Sequence, residues 1–317
     1  MRKYIILIAL ALNGIAFGQQ ISLNSQYLFN EMIVNPGAAG GKDYIPVQLN
    51  FRKQWTSFPG APTTQLLSAH STVGKKMGFG GSLFNDVTGP SRRTGLNINT
   101  AYHLQLDARN NHTLGLGIGI SLTQHLIDVT KLTTYLPDDP AVTRGYNNQM
   151  VPDANFGVFY KYKNKGFAGL SAYNLVQLNR DLYNFETTFN NTMKRTYYFI
   201  GGYEFDLGKN FDLKTNTLVQ GIETGTLQFD ITAIGVFRKF VWLGASYRHT
   251  DAIVALIGGQ AGPFKFGYSY DYTLSDIGKY SNGSHEIFLE LQLYKNKGQN
   301  ASSTPWLKRN RIYDPKL

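Results

Sequence analysis

The chain has 317 residues, of which 16% are charged and 14% aromatic, with 33 glycines, a formal net charge of +10 and no cysteine. The lack of cysteine excludes disulfides, thiol nucleophiles and thiolate metal sites. A mean hydropathy of −0.24 argues against a bundle of transmembrane helices, each of which needs about 20 apolar residues.

In chain order, Met1-Arg2-Lys3-Tyr4 is a short basic stretch, and Ile5 to Phe17 is an apolar run of about 13 residues, within the range of a signal-peptide core. Ala16-Phe17-Gly18 puts small residues where a signal peptidase requires them, so 1–18 is read as a signal peptide cleaved near Gly18. Export to the envelope argues against nucleic acid as the partner of the basic balance. Residues 19–43 contain Asn35-Pro36-Gly37-Ala38-Ala39-Gly40, rich in turn formers, and are read as a periplasmic N-terminal segment that either plugs or docks.

From 44 to 294 the sequence alternates apolar and polar residues with period two. Val47, Leu49 and Phe51 oppose Gln48, Asn50 and Arg52; Leu114, Leu116, Ile118, Ile120 and Leu122 oppose Gly115, Gly117, Gly119, Ser121 and Thr123; Phe264 to Tyr272 and Ile287 to Leu293 behave likewise. A strand sends successive side chains to opposite faces, so these are strands with one apolar face. About fourteen such segments begin near Tyr44, Pro62, Met77, Thr94, His112, Pro152, Gly166, Met193, Asn210, Thr226, Phe240, Ala252, Pro263 and Ser284. Each is about ten residues long, enough to cross a bilayer when tilted. The connections alternate between tiny, mostly charged turns such as Val73 to Lys76 and Lys163 to Lys165, and generally longer ones: Thr56 to Ala61, Asp86 to Arg93, Asp128 to Val151, Gln177 to Thr192, Gly221 to Gly225 and Leu274 to Gly283, with His249 to Asp251 the one short member of this class. Outer-membrane barrels show short periplasmic turns and longer outer loops. Aromatics near segment ends, among them Tyr44, Trp55, Tyr198, Trp242, Tyr270 and Tyr294, suit interface belts. A water-soluble sandwich also alternates but needs no such belts. The expected fold is therefore all-β: a transmembrane antiparallel barrel of about fourteen strands with both termini periplasmic, and outer-membrane lipid as its surroundings.

Fourteen tilted strands enclose a lumen about 28 Å wide, which is either wet or plugged. Its candidate polar lining is Arg52, His103, Asp230, Arg248, Lys265, Asp271 and Glu290. The glycines at 115, 117 and 119 share one strand face, which suits a plug or a sharp curve. The long connections offer Tyr135, Leu136, Tyr146, Leu182, Tyr183, Phe185 and Phe189 as apolar anchors for a partner. Residues 295–317 form a basic tail in which Lys308, Arg309 and Arg311 suit a dock for an acidic periplasmic partner. No catalytic, cofactor or metal site is expected: the histidines lack ligand spacing, no Gly-x-Ser-x-Gly elbow occurs, and His103 and His249 stand without an evident triad.

Asn35 to Gly40, then Arg52-Lys53-Gln54-Trp55 and Pro62-Thr63, resemble the N-terminal signature of the PorP/SprF family. Asp86 with Gly89-Pro90, Phe167 to Ser171, Trp242 to Arg248, Gly267 to Asp271 and Gly283 to Glu286 resemble its later blocks in the same order, over nearly the whole mature chain. Gly37 stands where alanine is the more usual residue, a change between two small residues. The resemblance implies an outer-membrane subunit of the type IX secretion system, and the lack of catalytic motifs leads to the expectation of no enzymatic activity. It would bind, anchor or help export secreted surface proteins bearing a C-terminal sorting domain, in some cases gliding adhesins. Periplasmic secretion-machine or peptidoglycan-associated components would be further partners. The composition and pattern alone leave a passive solute-diffusion porin as the alternative.

Overall fold

The computed structural model describes residues 25–109, 111–132, 147–177 and 193–294. Fourteen strands follow one another around a closed barrel. They are β1 (Tyr44–Lys53), β2 (Thr63–Val73), β3 (Met77–Thr88), β4 (Ser91–Gln105), β5 (His112–Ile127), β6 (Asn147–Tyr162) and β7 (Gly166–Tyr173). The second half comprises β8 (Thr196–Asp206), β9 (Phe211–Ile222), β10 (Leu227–Phe237), β11 (Val241–Arg248), β12 (Ala252–Ala261), β13 (Phe264–Thr273) and β14 (Ser284–Tyr294). Each strand pairs antiparallel with the next, and β14 closes on β1 from Tyr44 opposite Tyr294 to Lys53 opposite His285. Closure leaves no sheet edge with unpaired backbone groups, which a bilayer would penalise by several kcal/mol each.

The two-residue period places the apolar rows outside. On β5, Ile118 and Ile120 are 57% and 65% exposed, whereas Gly117 and Gly119, which alternate with them, face inward. In water such a surface would aggregate; in lipid it is the correct exterior. One end of the barrel carries the short turns 74–76, 163–165, 207–210 and 238–240, and the other carries 54–62, 128–146, 174–195 and 274–283. By the outer-membrane rule the first end is periplasmic.

Two expectations about elements are corrected. Asp86 to Arg93 is not a loop. Strands β3 and β4 run through it to a tight turn at Gly89-Pro90, with Asp86 opposite Arg93 and ion-paired to it. Asn85 accepts further bonds from Arg92 Nε and Thr94 Oγ1 (2.8 and 3.1 Å), so polar side chains extend this hairpin where apolar alternation has stopped. Tyr198 and Trp242, expected in the interface belts, are buried inside at 6% and 5% exposure.

The segment before β1 does not lie on the periplasmic side over its described residues. Residues 25–43 are inside the barrel. Short 3-10 turns at Tyr27–Phe29, Glu31–Ile33 and Pro36–Ala38 fold it into a compact plug. It descends from the long-loop end, where Ser25 meets Arg52 near the end of β1, to the short-turn end, where Gly41 meets Lys161 near the end of β6. A polar inward wall and an apolar core cluster within it give this segment more buried partners than the periplasm offers.

Candidate functional site: a plugged lumen

The plug is held at three levels. At the long-loop end is a buried charge network. Arg52 Nη2 donates to Asp271 Oδ2 (2.7 Å), and Arg52 Nη1 donates to Glu286 Oε2 (3.0 Å) and to Ser25 Oγ (2.8 Å). Arg248 reaches Asp230 (3.0 Å), Asp271 (3.1 Å) and Ser25 Oγ (3.1 Å). The Glu286 carboxylate accepts the backbone N–H groups of Ser25 (2.7 Å) and Gln26 (3.1 Å). Both arginine side chains and the Asp230, Asp271 and Glu286 side chains are at most 2% exposed. Charges taken so far from water persist only when paired and hydrogen-bonded, and here the plug's backbone completes the pairing.

The middle level is apolar. Phe29 stacks on Phe288 at 4.9 Å between centroids and tilts against Trp242 at 5.4 Å. Lys265 Nζ lies 3.8 Å from the centre of the Phe29 ring, a cation–π contact. Trp242 is therefore a wall for the plug. Its neighbours Val241 and Leu243 face out, and phase rather than nearness to a strand end decides its side.

The lowest level is a backbone-on-backbone fit. Asn35 is fully buried; its Oδ1 accepts from Gly37 N (2.9 Å) and its Nδ2 donates to the Val158 and Leu170 carbonyls (3.0 and 3.1 Å), bridging β6 and β7. Ser171 Oγ donates to the Val34 carbonyl. The turn at Pro36–Ala38 lies directly on the inward glycines of β5 and β6, so close that side chains at Gly115, Gly117 or Gly157 would overlap it. Gly115 and Gly117 thus make room for the plug, whereas Gly119 makes room for the barrel side chains Asn99 and Asn155. Gly37 is constrained in the same way: a Cβ there would sit 2.8 Å from the Gly115 carbonyl and 3.0 Å from that of Gly157. Exchange of alanine for glycine at this position is not neutral in this chain. Further down, Gly40 N donates to His70 Nδ1 (3.1 Å), Thr72 Oγ1 donates to the Gly40 carbonyl (2.6 Å), and Lys161 Nζ donates to that of Gly41 (2.9 Å).

Lys42 anchors this level, donating to the Phe29 carbonyl (2.7 Å) and pairing with Glu31 (3.3 Å). Burial works against the charge on both partners, but their mutual attraction outweighs it: Glu31 is held below the usual carboxylate range and Lys42 above the usual amine range.

All seven candidate lumen residues face the interior, but they do not form one site. Arg52, Asp230, Arg248 and Asp271 meet in the charge network. Lys265 lies on Phe29, and Glu290 accepts from Gln292 Nε2 (2.7 Å) and Tyr44 Oη (3.4 Å). His103 Nε2 is 2.8 Å from the Ala39 carbonyl at the short-turn end, and His249 stacks on Phe229 at 4.5 Å. Ser25 is not among the candidate site residues, and Asn35 and Glu286 stand only within the Asn35 to Gly40 and Gly283 to Glu286 blocks, with no lumen role given to them. Glu286 is in phase with the lumen candidate Glu290 along β14, and Asn35 opens the Asn-Pro-Gly turn signal, but Ser25 carries nothing that local sequence expresses. Tyr135, Leu136, Tyr146, Leu182, Tyr183, Phe185, Phe189, Lys308, Arg309, Arg311 and the signal peptide lie outside the described residues.

Residues 16–291 match the family model described as Type IX secretion system membrane protein PorP/SprF. The chain belongs to the PorP/SprF family. No curated protein matches this PorP/SprF sequence significantly. Among solved structures, the P. putida toluene transporter TodX is similar with a TM-score of 0.51 at 10% identity, over 84% of this chain and 95% of that one. A Pseudomonas aeruginosa FadL homologue gives 0.48 at 11% identity, over 87% and 95%. TodX supports the barrel fold and nothing beyond it. Family and fold together make the protein an outer-membrane component of type IX secretion.

Proposed function

We infer that this PorP/SprF barrel is a closed binding and anchoring subunit, which holds secreted surface proteins at the outer membrane rather than passing solutes. The observation that carries the reading is the plug: residues 25–43 span the lumen from the long-loop end to the short-turn end and are tied to strands around the wall. A passive porin needs a continuous aqueous path, which this packing opposes. The partner is a secreted protein with a C-terminal sorting domain, received by the connections 128–151 and 177–192. The basic tail with Lys308, Arg309 and Arg311 docks an acidic periplasmic component of the machine.

Planar-bilayer recording tests the closed state. The intact protein should show no steady pore, and deletion of residues 25–41 should open one; a steady pore in the intact protein restores the porin reading. On cells, deletion of 177–192 should abolish retention of the surface protein while leaving a heat-modifiable barrel, and normal retention would remove that connection from the mechanism. Trimming the chain after Tyr294 should weaken a periplasmic contact in a salt-dependent way.

A further inference from the structure

Beside the plug, at the long-loop end, the described residues leave a cavity of about 150 Å³. One wall is the plug itself, through Tyr27, Asn30 and Ile33; the others are the inward faces of β1 to β8. Strands β5 to β8 are the ones whose outer ends begin and end the connections proposed for partner binding, so the cavity lies at that end of the barrel. Its lining combines two chemistries. Tyr27, Ile33, Tyr173 and Tyr198 offer apolar surface, and most of the exposed lining is apolar. Around them stand carboxamides, among them Asn97, Asn155 and Asn174. Gln26 Nε2 and Asn50 Oδ1, on two further lining residues, are buried with no hydrogen-bond partner among the described residues.

We propose that this cavity is a binding pocket for one aromatic side chain of an extended peptide segment of the exported protein, with the carboxamides pairing to the segment's main chain. The size argues for a single ring: an apolar cavity of about 150 Å³ takes up one benzene. Asn97 Nδ2 donates to Ser82 Oγ (3.2 Å), Asn155 Oδ1 accepts from Asn174 N (3.2 Å) and Asn174 Nδ2 donates to the Lys194 carbonyl (3.0 Å), so the peptide would meet the remaining atoms, Asn155 Nδ2 as donor and Asn97 and Asn174 Oδ1 as acceptors, the pair that a peptide unit needs. The Asp86–Arg93 ion pair at the rim is internally neutralised, so the pocket selects for an uncharged occupant. This proposal rests on the anchoring function and specifies what is held there. Because Tyr27, Asn30 and Ile33 belong to the plug, occupancy also braces the plug against the β1 to β8 wall.

The test uses the full mature protein in detergent and two blocked, dye-labelled pentapeptides, Gly-Ser-Phe-Ser-Gly and Gly-Ser-Ala-Ser-Gly, followed by anisotropy. Burial of one phenylalanine side chain should make the first bind about 10- to 100-fold more tightly. Ser121→Trp and Ser82→Trp, which each fill the cavity from a different strand, should remove that preference; a heat-modifiable shift on gels confirms that each variant is folded. Equal binding of the two peptides, or an unchanged preference in both folded variants, overturns the pocket. Displacement by cellotetraose without any phenylalanine preference overturns it in favour of a carbohydrate site. If Ser121→Trp loses the peptide but cells still retain their surface protein, the exported segment is overturned as occupant and anchoring stands. If retention survives removal of the whole barrel while the phenylalanine preference holds, the anchoring function fails and the pocket stands.

Discussion

Arg52→Met isolates the contribution of the charge network to plugging. Arg52 is 1% exposed and is the only side chain that bridges Ser25, Asp271 and Glu286 at once among the described contacts. Methionine keeps most of the volume and removes the cation. Asp230, Asp271 and Glu286 then face Arg248 alone, three buried carboxylates against one guanidinium. Breaking a buried pair from one side costs about 3–5 kcal/mol, which is about two to three and a half decades in the population of the unlatched state at about 1.4 kcal/mol per decade. Asp271→Asn is the contrasting variant. It leaves two carboxylates against two guanidinium groups and should cost less, about 1.5–3 kcal/mol for weakened charged hydrogen bonds. Hydrogen exchange of the amides of residues 25–30 reads the latch directly, and bilayer conductance reads its consequence. Arg52→Met should expose these amides far more than Asp271→Asn and raise the frequency of transient openings, with the barrel still heat-modifiable. Unchanged exchange at 25–30 in a folded Arg52→Met barrel, or a larger effect from Asp271→Asn, would refute the network as the latch.

Gly117→Val should evict the turn at Pro36–Ala38, because a side chain there overlaps the plug backbone; the cost is at least the about 1–3 kcal/mol of overpacking, visible as a lower melting temperature and a leaky pore. Acid should loosen the lower plug. Glu31 titrates below its unfolded value, so the Glu31–Lys42 tie contributes fully above the ordinary glutamate pKa of about 4.3 and is lost as the pH falls through the lower folded value; exchange of residues 31–42 at pH 3 against pH 6 measures it, and Glu31→Gln should flatten the difference. Trp242 should emit as a buried indole and escape quenching by brominated lipid, since it packs on Phe29 inside the barrel; strong quenching would return it to the interface belt.

The plug divides what local sequence expresses from what it does not. Alternation along Leu114 to Leu122 places isoleucines on one side and glycines on the other, and this needs only the two-residue period of a strand. The expected signal peptide and the apolar alternation together then point to a barrel, and the strand count follows. The glycine row even hints at something packed against it. Identity of the packed element is another matter. Arg52 and Asp271 are 219 residues apart, and Ser25 and Glu286 are 261 apart; no local period relates them, and only closure of β14 on β1 brings them together. The turn formers of residues 25–43 equally suit a periplasmic tether. They become a plug because the inward face offers them buried carboxylates, an aromatic wall and a glycine floor, and that face exists only once all fourteen strands have closed.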